Sequence, residues 1–248
     1  MDEPIYDLQR LAKFLEAENR YPELTKAIRL AYTVASASTD LLRVKRNLEL
    51  IIRLQTSGGM PPSLAADDGG NVIEALFVAS VIVYSRATVT TPIARRSWWG
   101  PDKLPKDLRR THDTVILLRD KEIAHFGKGS DVVGEPLLLE FLYFSPGDRS
   151  PINFRANNWS TRPELIYEMV ALVAHVRRDA EKRMRVQFES VAKNLAEVRA
   201  LDSKIVSLVR NFVINDPRFH REPPGEAVTE GANITRVWTT VQSRILDT

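Results

Sequence analysis

The chain contains no cysteine among its 248 residues, which excludes disulfide bonds and thiolate metal sites. This absence suits a reducing cytoplasm, where we expect the protein to reside. Long apolar runs are also missing, because the stretch 76–83 is far shorter than the ~18–20 residues that cross a bilayer. The first ten residues are acidic and lack the apolar core of a signal peptide. These absences predict a soluble protein without a membrane span.

Motifs for cofactors and metals are absent as well. The sequence has no glycine-rich phosphate loop, no nucleophile elbow and no helix-turn-helix pattern. His112 and His125 are thirteen positions apart, and no pair of carboxylates accompanies them at ligand spacing. We therefore expect neither a cofactor nor a bound metal.

The net charge of +3 is too small to indicate nucleic-acid binding, but the charge is unevenly distributed. Residues 86–128 hold ten Lys or Arg and five Asp or Glu, a local charge of +5, which leaves −2 for the rest of the chain. A phosphate-binding protein would place its positive charge in this way. An ordinary solvated loop explains the same excess equally well.

Apolar residues recur mostly at helical spacing, so we predict a mainly α-helical protein. The third of its helices is apolar almost all round and should lie at the centre of a bundle, with Asn71 as its N-cap. The last pattern is too long for one helix and should break near 200–203. The predicted helices cover residues 4–19, 22–55, 72–89, 105–126 and 163–213, with a flexible loop at 57–70.

The period changes between residues 135 and 157. The run PLLLEFLYF at 136–144 is typical of a strand, SPGD follows as a turn, and residues 152–155 can pair back. We therefore predict a helical bundle over 1–216 with a β-hairpin inserted at about 135–157. Residues 217–248 are predicted to form a linker and a C-terminal amphipathic docking helix.

The segment 114–127, TVILLRDKEIAHFG, combines an apolar helical run with charged side chains and an ending glycine. Arg119 is followed by Asp120, and His125 comes six residues after Arg119. On an α-helix this separation is about 9 Å along the axis and about 120° around it. The preceding helix carries Tyr84-Ser85-Arg86 near its end.

This pattern resembles the Arg-x4-6-His signature of the HEPN superfamily, in which Asn, Asp or His usually follows the arginine. Some abortive-infection members carry a similar Tyr-x-Arg upstream, as at Tyr84 and Arg86 here. The resemblance covers roughly residues 20–215. It implies an up-and-down helical bundle acting in a toxin–antitoxin or antiviral defence setting.

The resemblance further implies a metal-independent endoribonuclease that cleaves RNA by 2′-hydroxyl attack in a cleft shared by a homodimer. A histidine can move the proton near neutral pH, and a guanidinium can stabilise the charged phosphate. Asp120 would orient Arg119 or the histidine of the facing subunit, and a neutralising partner protein is expected. The implied catalytic residues are Arg119, Asp120 and His125, and the implied substrate-binding residues are Tyr84, Arg86, Lys121 and Lys128.

Other interpretations stay open on the same residues. The chain could be a non-catalytic module that binds a nucleotide, RNA or a partner protein in the same groove, or a purely structural helical protein. Arg86 could form an ion pair with an acid such as Asp120 rather than bind phosphate. The pair Trp98-Trp99 could contact bases, but such pairs more often plug the end of a bundle. For the dimer, the candidate apolar contacts are Trp98, Trp99, Phe126 and residues 137–144.

Overall fold

The computed structural model describes residues 5–56, 66–89, 98–120, 138–144, 152–158 and 163–214. These residues form a mainly helical protein, as predicted. In chain order the elements are α1 (Leu8–Ala17), α2 (Pro22–Thr56), α3 (Ala66–Thr88), a 3-10 turn (Pro101–Lys103), α4 (Lys106–Leu118), β1 (Leu138–Phe144), β2 (Ile152–Asn158), α5 (Pro163–Leu201) and α6 (Lys204–Arg210).

The chain divides into two compact units. Unit 1 comprises residues 1–35 and 182–248, and unit 2 comprises residues 36–181. Both α2 and α5 contribute residues to each unit, since the boundaries fall within these helices. The segment with Arg119 and Asp120 belongs to unit 2.

Unit 1 is formed by the two ends of the chain. Asp7 caps α1 by accepting a hydrogen bond from the backbone N–H of Arg10 at 3.0 Å, and Leu11, Ala12 and Leu15 of α1 are fully buried. The ring of Phe14 lies 5.9 Å from that of Phe212. Near the junction of α1 and α2, the hydroxyl of Tyr21 donates to Asp202 beyond α5. These contacts hold the first helix against the last described residues.

Unit 2 has an apolar core contributed by four helices. The helices α2, α4 and α5 each bury one side, in keeping with their amphipathic spacing. Helix α3, predicted to be central because it is apolar almost all round, also buries only one side, and its Ile82 is 46% exposed. The buried side chains include Leu41, Val44, Leu48, Ile51, Phe77, Val81, Val115, Leu118, Ile166, Met169 and Leu172. This core fixes the position of α4, which carries the candidate catalytic arginine.

One helix boundary confirms its sequence prediction and another contradicts it. The break predicted near 200–203 is confirmed, because α5 ends at Leu201 and α6 begins at Lys204. The prediction for α3 was wrong: the helix begins at Ala66, so Asn71 lies inside it and is not the N-cap.

The strands β1 and β2 pair in an antiparallel ladder in which Phe141 lies opposite Arg155. The residues joining them, and the predicted linker and docking helix at 217–248, lie outside the described residues. The domain limits at 216 and 217 therefore stay predictions.

One segment of α3, Gly70–Thr88, is long and apolar enough to cross a membrane by length and composition. A core helix of a soluble protein has the same properties, so a single segment of this kind is weak evidence for a span. Its polar side chains Tyr84 and Arg86 bind His112 and Asp40 of neighbouring helices. These contacts join the end of α3 to α4 and α2.

Candidate functional site at the end of helix α4

Arg119 and Asp120 directly follow α4. The buried face of this helix, Thr111, His112, Val115 and Leu118, anchors it in unit 2. Arg119 keeps helical dihedral angles, and with Asp120 it adopts a wider π-helical turn. Such turns are rare and occur frequently at functional sites. The core thus presents the two charged residues at a helix end.

The two side chains contact each other. Arg119 Nε lies 2.8 Å from Asp120 Oδ1, yet its buried N–H makes no aligned hydrogen bond. The contact is therefore an ion pair between neighbouring charges rather than a well-formed hydrogen bond. The role implied for Asp120, to orient Arg119 or the histidine of a facing subunit, stays a prediction.

The side chain of Arg119 remains partly accessible. Its side chain is 30% exposed, and Asp120 is its only polar contact within the described residues. The N–H groups not facing Asp120 could therefore still bind a phosphate oxygen. His125, Lys121 and Lys128 lie outside the described residues, so their roles in this site stay predictions.

Arg86 is engaged by another side chain. Its Nε donates to Asp40 Oδ2 at 2.9 Å and its Nη2 to Oδ1 at 2.5 Å, a bidentate pair. This hydrogen bond raises the pKa of Arg86 above its usual value, with burial acting in the opposite direction. The interpretation of Arg86 as an ion-paired residue is thus confirmed, but the partner is Asp40 of α2 and not Asp120. In this arrangement Arg86 is not a free phosphate ligand.

Tyr84 lies in the core of unit 2. Its side chain is fully buried, and its hydroxyl lies 2.9 Å from Nδ1 of His112, which is also buried. Burial lowers the pKa of His112. The charge of Asp113 raises this pKa, and the charge of Arg109 lowers it further. Burial also raises the pKa of the Tyr84 hydroxyl. A neutral tyrosine therefore bonds a neutral histidine, and Tyr84 offers no surface to a substrate.

The paired tryptophans are core residues. Trp98 and Trp99 are 7% and 5% exposed, and Trp98 Nε1 donates to the carbonyl of Ala87 at 2.7 Å. The ring of Trp99 meets His112 edge-on with 5.4 Å between centroids. Their burial contradicts a role in base contact or in the apolar dimer contact. It agrees with the plugging role that sequence reasoning weighed against those roles.

Several cations of the positive segment are paired with acids. Arg109 binds Asp102 and Asp113 at 3.1 Å each, and Arg110 lies 3.7 Å from Glu168 of α5. Together with the Arg86 pair, these contacts reduce the positive charge available to a phosphate around α4.

In the described part of the chain, no three His, Asp or Glu side chains lie together as metal ligands would.

Sequence reasoning did not foresee the residues that hold this region together. Asp40 lies 46 positions from Arg86, and Glu168 accepts from Thr111 across 57 positions. Each occupies an ordinary helical position, and no local motif singles it out.

Searches against protein-family models, curated proteins and solved structures found no match for the chain.

Proposed function

We propose that the chain is a HEPN-type, metal-independent endoribonuclease that uses Arg119 and His125 to cleave RNA. The observation that carries the proposal is the placement of Arg119: it stands at the end of an anchored helix, partly exposed, with Asp120 as its only described polar contact. A guanidinium held in this way keeps N–H donors that match phosphate geometry. The toxin or phage-defence setting follows from the same resemblance.

The proposed reaction is a transesterification followed by release of the strand. Neutral His125 removes the proton of a 2′-hydroxyl, whose oxygen attacks the adjacent phosphorus. The bond from phosphorus to the 5′-oxygen breaks, and an imidazolium returns a proton to that oxygen. Arg119 stabilises the negative charge that develops on the non-bridging oxygens. Asp120 acts as a positioning residue through its contact with Arg119.

The test is cleavage of a labelled RNA in EDTA by the wild type and by His125→Ala, Arg119→Lys and Asp120→Asn. We expect a loss of about 100-fold or more for His125→Ala, the usual size of an acid–base contribution. Arg119→Lys keeps the charge but loses the planar donor geometry, so it should also be impaired. His175→Gln is a matched control because this half-buried histidine lies elsewhere, on α5. Equal cleavage by the wild type and His125→Ala, or none by the wild type, would overturn the proposal.

The second candidate function is a non-catalytic module that binds a nucleotide, RNA or a partner protein. One observation favours it: Tyr84 and Arg86, the upstream half of the resemblance, are engaged in contacts within the protein. Overexpression separates the candidates, because a ribonuclease should arrest growth and His125→Ala should relieve the arrest. Growth arrest that persists in the variant would favour binding over catalysis.

The proposed cleft also requires a homodimer, with RNA and a neutralising protein as further partners. Without the buried tryptophans, the remaining candidate contacts are Phe126 and residues 137–144. Sedimentation over a range of salt concentrations, with and without RNA, measures the association. A monomer under every condition would remove the shared cleft and leave the binding module as the better proposal.

A further inference from the structure

A row of arginines lies along α2, in a part of the chain that carries no recognised motif. Arg43, Arg46 and Arg53, here named the arginine stripe, are all exposed, and all belong to unit 2. Their spacing places them within an arc of about 80° on the helix, over about 15 Å of its axis. They therefore form one line on one face.

Among the described residues, no acid is paired with the stripe. None of its three arginines makes an ion pair with a described residue, whereas Arg86, Arg109 and Arg110 do. The two nearest acids, Asp40 and Glu49, each lie three positions from an arginine of the stripe but are paired elsewhere, Asp40 with Arg86 and Glu49 with Lys45 at 3.4 Å. An isolated helix would favour pairing Glu49 with Arg53 at i,i+4, so the contact with Lys45 leaves the guanidinium of Arg53 available.

From this arrangement we infer that the arginine stripe binds the phosphate backbone of RNA. Guanidinium groups bind phosphate oxygens through paired N–H donors, and a line of them suits a chain of phosphates better than a single anion. The segment 41–56 contains no aromatic residue on which a base could stack, so the contacts should not depend on RNA sequence. The choice of RNA over other polyanions rests on the proposed function.

The stripe, which is distant from Arg119 along the chain, would bind the RNA strand as a docking surface and not as a reacting group. It would contribute affinity and salt dependence without contributing to bond breaking. This division of roles makes the inference testable apart from the ribonuclease proposal.

Binding of a labelled 2′-O-methyl RNA, measured by fluorescence anisotropy, provides the test. The methylated oligonucleotide keeps its phosphates but cannot undergo 2′-hydroxyl attack, so cleavage does not interfere. The variant R43Q/R46Q/R53Q removes the stripe. The control R10Q/K13Q/R210Q removes the same charge from three exposed positions in unit 1. Circular dichroism and thermal unfolding should show that both variants fold like the wild type.

We expect the slope of log affinity against log salt to be less steep by about 2 in the stripe variant, at ~0.7 per phosphate contact. Between 50 and 200 mM salt, the wild type should then lose about 20-fold more affinity than this variant. The control should keep the wild-type slope. Equal slopes for the wild type and the stripe variant would overturn the inference, as would an equal loss in the control.

Two further results separate the possible failures. Stripe-dependent binding without cleavage of unmodified RNA would support the stripe and contradict the ribonuclease. Cleavage that depends on His125, together with RNA binding that is unchanged in the stripe variant, would support the ribonuclease and contradict the stripe. Stripe-dependent binding to anionic phospholipid vesicles, with no RNA binding, would show that the partner is a membrane surface and overturn the assignment to RNA.

Discussion

Tyr84 and His112 show how a residue that looked functional can be needed for stability. The hydroxyl of Tyr84 is the only described hydrogen-bond partner of His112 Nδ1 in a buried environment. Tyr84→Phe would leave that nitrogen without a partner, so we expect a loss of about 1–3 kcal/mol in the free energy of unfolding. Urea denaturation measures it. Tyr32→Phe, at a tyrosine 46% exposed, should change stability by less than about 0.5 kcal/mol. Equal effects would show that the buried hydrogen bond contributes nothing.

The same histidine should make stability depend on pH. Burial lowers the folded-state pKa of His112 below its ordinary value near 6.5, so the unfolded chain binds a proton more readily. Stability should therefore be retained above about pH 6.5 and fall as the pH drops below it towards the folded-state pKa. The charges of Asp113 and Arg109 also act on this pKa, Asp113 raising it and Arg109 lowering it.

Thermal unfolding of the wild type and His112→Gln between pH 7 and pH 5 measures this effect. The wild type should lose more stability than the variant on acidification, since glutamine does not titrate. His175→Gln, at a half-buried histidine, should retain the wild-type dependence. Parallel curves for wild type and His112→Gln would assign the acid sensitivity to other groups.

At the scale of elements, the Asp40–Arg86 pair joins α2 to α3. A double-mutant cycle with Asp40→Ala and Arg86→Ala should give a coupling of about 1 kcal/mol in the free energy of unfolding. Bidentate charged pairs can contribute more, but the side chain of Arg86 is 43% exposed and water screens it. The control cycle uses Lys45 and Glu49, a partly exposed i,i+4 pair expected to couple by at most ~0.5 kcal/mol. Coupling no larger than in the control would show that the pair does not hold these helices together.

Helix boundaries were predictable where the sequence carries a strong local signal. Pro22 sets the start of α2, since proline suits a first helical turn, and the run after Leu201 contains the expected break. The start of α3 was missed because two glycines before Asn71 resemble a loop. Each glycine costs about 1 kcal/mol in a helix, yet propensity is a weak prior that surrounding structure overrides.

Partners across helices could not be predicted in the same way. Arg86 clearly needed an acceptor, but its sequence neighbourhood does not distinguish Asp40 from Asp120. Which acid it meets depends on how α2 packs beside α3, and that is decided by the whole core. The burial of Trp98 and Trp99 follows from the same packing. The Arg119–Asp120 contact was predictable because neighbouring residues meet without any tertiary fold.

For the whole molecule, charge counted along the sequence differs from charge available at the surface. The segment 86–128 carries the positive excess, but Arg86, Arg109 and Arg110 are each paired with an acid. The arginine stripe belongs to the part of the chain whose charges sum to −2, and its arginines are unpaired among the described residues. A sum over sequence cannot separate these cases, because pairing depends on helix faces and on distant partners.

Unit 1 is assembled from both ends of the chain, and this has a consequence for biosynthesis. Its contact between Arg20 and Asp202 spans 182 positions, whereas unit 2 is a single continuous stretch. During translation, at about 5–20 residues per second, the residues of unit 2 are complete before the second half of unit 1 exists. Closing so long a loop also carries an entropic cost that local contacts avoid.

Pulse-labelled hydrogen exchange during refolding should therefore protect the amides of α3 and α4 before those of α1 and α6. Simultaneous protection would mean that the two ends meet as early as the middle of the chain folds. The expected order would leave the apolar side of α1 exposed on the nascent chain, where a chaperone could bind it until synthesis ends.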